Sequence, residues 1–466
     1  MSVINTNLNS LIAQNALSQN NAAENTSLQR LSTGLQINSG ADNPSGLIAA
    51  NNFKAEQNGI QTAISNASLA SNVVGTADGA LSEVSSMLTQ LQGLVSQAAN
   101  TGALSSNQVS ADQLQVDSIL STINSIANNT NFQGAKILNG DLAYTTSSTS
   151  NVNNLQVNTA SVYGGVTQKV VVNVTQSAQT AHVGFNTDLP LGSAVTIQIT
   201  GDQGSQQLSF ATGTTEAQLA TAINTVKSQT GVSASASGGA LRLDSTDFGS
   251  AAFVTVSTIS GTGFGSASAS GRDAKVQING ATANVTGTNV SYSSAGLDLS
   301  FALTTALNTA NGTTTFGITG GGANFQFGET VTNSGIVSIG LQSMNTGTLG
   351  NSTDGELASL GSGGANDLSS ANLTSAQKIL NDAITQVSTL QGRLGAFQDY
   401  TIGSTVNSLS VAYENATSAL SNIEDTNFAS ETSNLTRDQI LASSAETVLA
   451  TANSEPQNAL KLLQNI

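Results

Sequence analysis

The sequence predicts a chain that is mainly α at both termini, with long antiparallel helices around a coiled-coil core and a β-rich insertion in the middle. Three observations carry this. Apolar residues advance by alternating three- and four-residue steps from Ile60 to Ala98, and again from Leu380 to Phe397, which is the heptad pattern. Between about 141 and 365 the texture changes to Thr-, Ser- and Gly-rich runs that alternate with a period of two. Aromatic residues are only 4% of the chain and Trp is absent, so the helices must pack through Ala, Leu, Ile and Val.

In chain order, the first landmark is "LQRLSTGLQINSGADNPSG", residues 28–46. Leu28, Leu31 and Leu35 recur at helical spacing; Asn38, Ser39 and Gly40 then break the pattern. Asn43-Pro44 reads as a new helix start, with Asn as N-cap and Pro at the first helical position. The seam from Ile60 to Ala98 follows; at ~1.5 Å per residue it is roughly 57 Å long. Near "NTGALSSN" this helix ends, and Ser105 with Gln108 fits a capping box for a second one through Val109, Val116, Ile119, Ile123 and Ile126. A short loop makes the two an antiparallel hairpin.

The middle contains "QKVVVNVTQ", "SAVTIQITG", "QQLSFATG", "GALRLDS", "AFVTVSTIS", "AKVQING" and "ATANVTG", which read as strands joined by Gly-containing turns. One helix interrupts them in "TTEAQLATAINTVKSQTG", where Leu219, Ile223 and Val226 share a face. Helices resume at Thr374, which with Gln377 fits another capping box. The stripe runs through Leu380, Ala383, Val387, Leu390, Leu394 and Phe397, slips after Gly395, and resumes at Ile402, Val406, Leu409, Tyr413, Ala416, Leu420 and Ile423. Such a slip perturbs a supercoil locally without ending the helix. A last segment opens at Thr436 with Gln439 and carries Leu441, Ala445, Val448 and Ala452. Pro456 kinks or restarts it before Leu460 and Leu463. Stripes this long need partners, since an unpartnered amphipathic helix is marginal in water; the two ends therefore return to pack as one helical body.

Charge and chemistry narrow the function. A net charge of −16, with only 9% charged residues, offers no attraction to nucleic acid or anionic membranes. No stretch approaches 18 uninterrupted apolar residues, and the start lacks both a basic region and an apolar run. We therefore expect no membrane span and no cleaved signal peptide. Without cysteine there is no disulfide or thiol nucleophile. The single histidine, His182, has no partner histidine at i+4 and no adjacent Glu. The glycines of 259–266 are not followed by a helix pattern with a Lys, so they read as a turn cluster. Asp42, Asp78, Glu83, Glu424 and Asp425 have the spacing of helix starts and solvent faces. No catalytic residue, cofactor site or metal site is expected.

The two ends carry a resemblance. "LNSLIAQNAL…LQRLSTGLQINSGADNPSGLIAA" and "NNTNFQGAKILNG" resemble the N-terminal signature of bacterial flagellins. "LGAFQDY", "ALSNIEDTNFASETSNLTRDQIL" and "VLATANSEPQNALKLLQ" resemble the C-terminal one, in order. Together they span about half the chain. "FATGTTEAQLATAINTVKSQTGVSASASGGALRLDSTDFG" also resembles a repeat found in the outer region of some flagellins.

The resemblance implies a structural subunit that polymerises into the flagellar filament, rather than an enzyme. It implies an inner coiled-coil core from 1–40 with 425–466, an outer helical core from 41–140 with 366–424, and an exposed β-rich region over 141–365, in two subdomains. It implies extracellular work after export through the flagellar apparatus, with copies of itself, the filament cap and hook-junction proteins as partners. Ile4, Leu8, Leu11, Leu28, Leu31, Leu35, Leu441, Val448, Leu460 and Leu463 are then expected at the filament interface, ordered only when neighbouring subunits cover them. Asn38, Ser39, Gly40, Asn43 and Pro44 would form the bend between the core layers. In many flagellins an innate immune receptor reads the helix spanning 87–100. Of Leu88, Gln90, Leu94 and Gln97 on this helix, Leu94 and Gln97 match that pattern, but Gln90 stands where an Arg is usual and Gly93 also departs. A neutral amide cannot replace a planar guanidinium, so weak or absent receptor activation is expected. Two rival readings are a hook–filament junction protein and a secreted adhesin whose β-rich middle binds glycans.

Overall fold

The computed structural model describes residues 6–464 except 101–103, 148–149, 163–165, 186–189, 263, 295, 352–353 and 371. Its helices are α1 (Leu8–Thr33), α2 (Pro44–Ala98), α3 (Ser106–Asn129), α4 (Glu216–Thr225), α5 (Lys227–Thr230), α6 (Thr305–Ala310), α7 (Leu373–Ala396), α8 (Ser404–Glu424) and α9 (Phe428–Gln464). A π-helical turn, Phe397–Gly403, joins α7 to α8. Helical ends thus bracket a strand-rich middle. The chain divides into two compact units: one of 1–68, 327–331 and 403–466, the other of 69–326 and 332–402.

In the larger unit, α2 and α7 run antiparallel, tied by Gln92 Nε2 to Asn381 Oδ1 (3.3 Å), Gln391 Nε2 to Ser82 Oγ (3.0 Å) and Gln398 Nε2 to Ser71 Oγ (3.3 Å). Every α2 stripe residue from Ala70 to Ala98 is at most 2% exposed. On α7, Leu380, Ala383, Val387, Leu390 and Leu394 are buried too. Full burial of one Leu contributes about 1.5–3 kcal/mol, so this seam stabilises the unit without help from other chains. Helix α3 starts at the expected capping box: Ser105 N donates to Gln108 Oε1 (2.9 Å) and Gln108 N to Ser105 Oγ (3.4 Å). Its buried face is Val116, Leu120, Ile123 and Ala127, with the Gln113 amide satisfied by Leu360 O (2.9 Å) and Leu368 N (2.8 Å).

The strands of this unit form two lobes, one nested in the other. The outer-sequence lobe packs an antiparallel five-stranded sheet, in the order Ala281–Thr282, Lys275–Ile278, Gln168–Gln176, Thr313–Gly321, Tyr144–Ser147, on a four-stranded one. The latter runs Asn284–Thr286, Asn289–Ser294, Leu297–Leu303, Val152–Ala160. Alternate residues such as Val170, Val172, Val174, Leu299, Phe301 and Phe316 fill the core between them, as period-two patterning requires. The nested lobe, within 180–270, pairs a three-stranded and a four-stranded sheet around Ile197, Ile199, Leu241, Leu243, Val254 and Val256. Helix α4 begins at a Thr215–Gln218 capping box and adds Leu219 and Ile223 to that core; Val226 is only half-buried at its end. Asn224 closes a sheet edge: its amide accepts from Ala234 N and donates to Ala234 O, both at 2.9 Å. A bonded edge of this kind is a poor template for stray strand pairing.

Three local expectations, and one half of a fourth, are corrected. Helix α1 stops at Thr33, because Gly34 adopts φ +75° and its N–H closes on Arg30 O; Leu35 lies beyond the helix, in a β-bridge with Asp425. Helix α7 starts one residue before Thr374, with Asn372 in the cap position and no side-chain cap bond; Gln377 instead donates to Asn381. Helix α9 starts at Phe428, where Asn427 Oδ1 accepts Ser430 N (3.2 Å), so Thr436 is mid-helix and donates back to Thr432 O. Of the two expectations for Pro456, a kink or a restart, the restart does not occur: Pro456 lies inside α9. Helix α1 is ended by the left-handed Gly34 and α9 is begun by the Asn427 cap, while Leu35 is drawn to a partner distant in sequence.

Candidate assembly surface and bend

The smaller unit holds most residues expected at the filament interface. Helices α1 and α9 lie antiparallel, with Asn7 Nδ2 donating to Ala452 O (2.7 Å), Ser10 Oγ to Asn453 Oδ1 (2.7 Å), and Arg30 Nη1 facing Glu431 Oε1 at 3.8 Å. What this pair buries is mostly small: Ser10, Ala13 and Ser27 on α1, Ala442, Ala445 and Ala452 on α9, with Glu431 also buried, facing Arg30. The large apolar side chains point away. Leu8 is 62% exposed, Leu11 53%, Leu28 45%, Leu441 45%, Val448 57% and Leu460 44%. Leu31 is half-buried, as is Leu35 outside the helix. Ile4 and the side chain of Leu463 lie outside the described residues. An apolar groove of about 590 Å³ runs between the helices, lined by Ile12, Ala13, Ala16, Leu441, Ala445 and Val448 among others. Ile12, 58% exposed, belongs with this set and went unnamed in the sequence reading, although it follows Leu8 at i+4.

The bend combines a set of hydrogen bonds with one buried side chain, Ile37, 3% exposed and set against Gly46. Gln36 N donates to Glu424 O (2.6 Å) and Thr426 N to Gly34 O (2.8 Å), so the exit from α1 pairs with the α8–α9 connection. Asp42 then gathers the turn: one carboxylate oxygen accepts Ser39 N (2.7 Å), Ser39 Oγ (3.0 Å) and Asn38 N (3.1 Å). The Ser39 bonds, backbone first, and then that from Asn38 hold the Asp42 carboxyl below its ordinary value. Asn38 Nδ2 reaches back to Leu35 O (2.8 Å). Asn43 Oδ1 accepts Gly46 N (3.0 Å), capping α2, with Pro44 at its first position. Gly40 sits against Leu47, 3.7 Å from where a Cβ would stand.

Glu424 departs from the solvent-face expectation. It is 5% exposed and bound to Lys54 Nζ at 2.6 Å. Nothing local in the sequence could reveal this, since the partner is 370 residues away. Equally invisible was the segment 327–331, which crosses α2 at Gly59: a Cβ there would stand 2.8 Å from Glu329 O. Asp78 and Glu83 are exposed on α2.

On α2, Leu88 is buried in the seam, Gln90 and Gln97 are exposed and Leu94 is half-buried. His182 is exposed on the strand Thr180–Phe185. Among the described residues no group of three His, Cys, Asp or Glu could hold a metal ion, and no helix is long and apolar enough to cross a membrane.

Comparison with known proteins follows the same division of the chain. Residues 4–143 match the bacterial flagellin N-terminal helical region, residues 377–463 the C-terminal helical region, and residues 195–247 the flagellin hook IN motif. A flagellin of Salmonella typhimurium is 30% identical over 510 aligned residues, covering 99% of each chain. A flagellin of Clostridium tyrobutyricum is 28% identical, covering 98% of this chain and all of its own. Among solved structures, the flagellar junction protein of Legionella pneumophila covers 82% of this chain and 99% of its own at 13% identity, with a TM-score of 0.26, too low to bear on the fold. With a full-length relative and both terminal regions matched, the chain belongs to the bacterial flagellin family, structural subunits that self-assemble into the extracellular flagellar filament.

Proposed function

We propose that assembly of this subunit is folding coupled to binding, driven by burial of the α1–α9 stripe against neighbouring copies. The observation that carries the reading is the mismatch in the α1–α9 pair: alanines and serines meet inside it, while Leu8, Leu11, Leu28, Leu441, Val448 and Leu460 are left to solvent. Covering them removes apolar area from water at about 25 cal/mol per Å², and ordering the ends only at that moment keeps a monomer soluble and threadable. Subunits then repeat through a head-to-tail contact that does not close, giving a helical filament.

In this reading 1–40 with 425–466 form the inner core, 41–140 with 366–424 the outer core, and 141–365 the exposed region, with residues 38–44 as the bend between layers. Ile4, Leu31, Leu35 and Leu463 join the interface. The subunit leaves the cell through the flagellar export apparatus without a cleaved signal and meets the cap and hook-junction proteins at the filament ends. It catalyses no reaction. Gln90 in place of a guanidinium leaves the innate receptor weakly engaged. Circular dichroism of monomer against filament tests the central claim: helix content should rise on polymerisation, and equal content in both states sinks coupled folding.

A further inference from the structure

The smaller unit, 1–68 with 327–331 and 403–466, has little core of its own. Helix α8 buries Ala416 and Glu424 alone, and residues 44–68 of α2 bury Ala50, Ile60, Ala63 and Ala67. Polar contacts join the two helices: Lys54 Nζ donates to Glu424 Oε1 (2.6 Å) and Gln57 Nε2 to Thr417 Oγ1 (2.9 Å). Among the described residues of this unit, the large buried apolar side chains are Ile37, Ile60 and Phe327. Phe327, 4% exposed, is the one aromatic ring among them.

That ring arrives from the β-rich middle. Strands Ala323–Gln326 and Ile336–Ile339 form a hairpin whose last pair is Gln326 with Ile336, and both strands belong to the larger unit. At the root of the hairpin, Phe325 stands against Phe397 with ring centroids 6.1 Å apart. Between the strands the chain leaves that unit, contributes 327–331 to the smaller one and returns at Thr332. Its seat on α2 is a glycine: a Cβ on Gly59 would stand 2.8 Å from Glu329 O and 3.4 Å from Glu329 Cβ. Glycine weakens a helix interior and serves where another backbone must come close. Gly75, Gly79 and Gly93 on the same helix have nothing within 4 Å, so close approach is not a general property of the α2 glycines.

We propose that the hairpin tip 327–331 is a closing strap for the smaller unit: α2 over 44–68 and α8 stay together only while Phe327 is buried and the Glu329 backbone is seated at Gly59. Part of the β-rich middle thereby becomes a structural member of the helical ends. A chain whose middle is unfolded leaves those ends open, so the middle folds before the smaller unit closes.

Hydrogen exchange on the full-length monomer tests this. Amides of α2 within 50–67 and of α8 are the readout, and the strand Gln168–Gln176 reports on the middle. Three variants are compared with wild type: 327–335 replaced by Asn-Gly, a two-residue hairpin turn that joins the paired Gln326 and Ile336; Phe327→Ala; and Gly59→Ala. Each should speed exchange in both helices, by about tenfold or more where the ring is lost, with Gln168–Gln176 protected as in wild type. Gly75→Ala, which adds the same methyl group where nothing stands in its way, should leave both helices protected. Wild-type protection of α2 and α8 in the turn variant overturns the proposal. So does a loss that extends to Gln168–Gln176, because the tip would then belong to the core of the middle. Slower exchange in Gly59→Ala, the ordinary result of Gly to Ala in a helix, counts against the strap as well, as does an equal loss in Gly75→Ala. In urea, α2 within 50–67 of the wild-type chain should lose protection no later than Gln168–Gln176; protection that outlasts the strand shows that the ends close without the middle.

Discussion

The α2–α7 seam and the α1–α9 pair use the same helical period and bury opposite things. In the seam, Leu81, Leu88 and Leu91 on α2 and Val387, Leu390 and Leu394 on α7 are all closed to solvent. In the terminal pair, Ala13 and Ser10 meet Ala445 and Ala452, while the leucines face outward. Helix pairing alone therefore says little about where stability resides. The seam is finished within one chain; the terminal pair leaves its large apolar side chains uncovered, and in the proposed filament copies cover them.

The sharpest way to break this comparison is to truncate one leucine in each region. Leu88→Ala removes a fully buried side chain and should cost the monomer about 2–5 kcal/mol, read as a lower midpoint in urea denaturation. Leu11→Ala should move that midpoint by no more than about 0.5 kcal/mol, as for an exposed surface change, yet raise the protein concentration needed for polymerisation. If Leu11→Ala destabilises the monomer as much as Leu88→Ala, the two regions are not different in kind.

A smaller effect sharpens the account of how helices begin. Ser105 caps α3 through a reciprocal bond with Gln108, so Ser105→Ala should cost about 0.5–2 kcal/mol. Thr374 has the same sequence signature but sits inside α7, so Thr374→Ala should stay within about 0.5 kcal/mol of wild type. Equal losses would restore Thr374 as a cap.

These two positions also show what was legible in the sequence. Periodicity is a property of near neighbours, three and four residues apart in a helix and two in a strand, so the α2 and α7 stripes, the strands of the middle and the slip after Gly395 could all be read directly. Capping boxes are local as well, but a helix can begin before the signature that marks it: α7 starts at Leu373 without a side-chain cap, and Asn427 caps α9 well before Thr436. What stayed hidden depends on partners far away in sequence. Glu424 looks like a surface carboxylate until Lys54 is brought to it, and Leu35 continues a helical stripe until Asp425 draws it into a bridge. The apolar stripe of the termini was visible, whereas the choice of alanine and serine for the contact inside the chain was not. A sequence pattern does not say which of two apolar faces a helix keeps for itself.

The smallest expected effect concerns pH, and here too the two regions should part. Asp42 in the bend is held below its ordinary value by Ser39 and Asn38, so the folded turn binds its proton less readily than the unfolded chain does. Its contribution is complete above the unfolded carboxylate range, about pH 4, and is lost as pH falls through the lower folded value. Asp382 on α7 behaves in the opposite sense. Burial first, and then the neighbouring Asp354, push it above its ordinary value, so its environment favours the folded state increasingly as pH falls. Amide exchange, corrected for its intrinsic pH dependence, distinguishes the two. Protection of the Ser39 amide should fall as pH drops below about 4, while amides around Asp382 on α7 should hold or gain. Asp42→Asn should abolish the acid step at Ser39 without altering α7. A parallel loss of protection at both places would mean that the bend and the seam open together, and that the hydrogen-bonded turn is not an independently loosening joint.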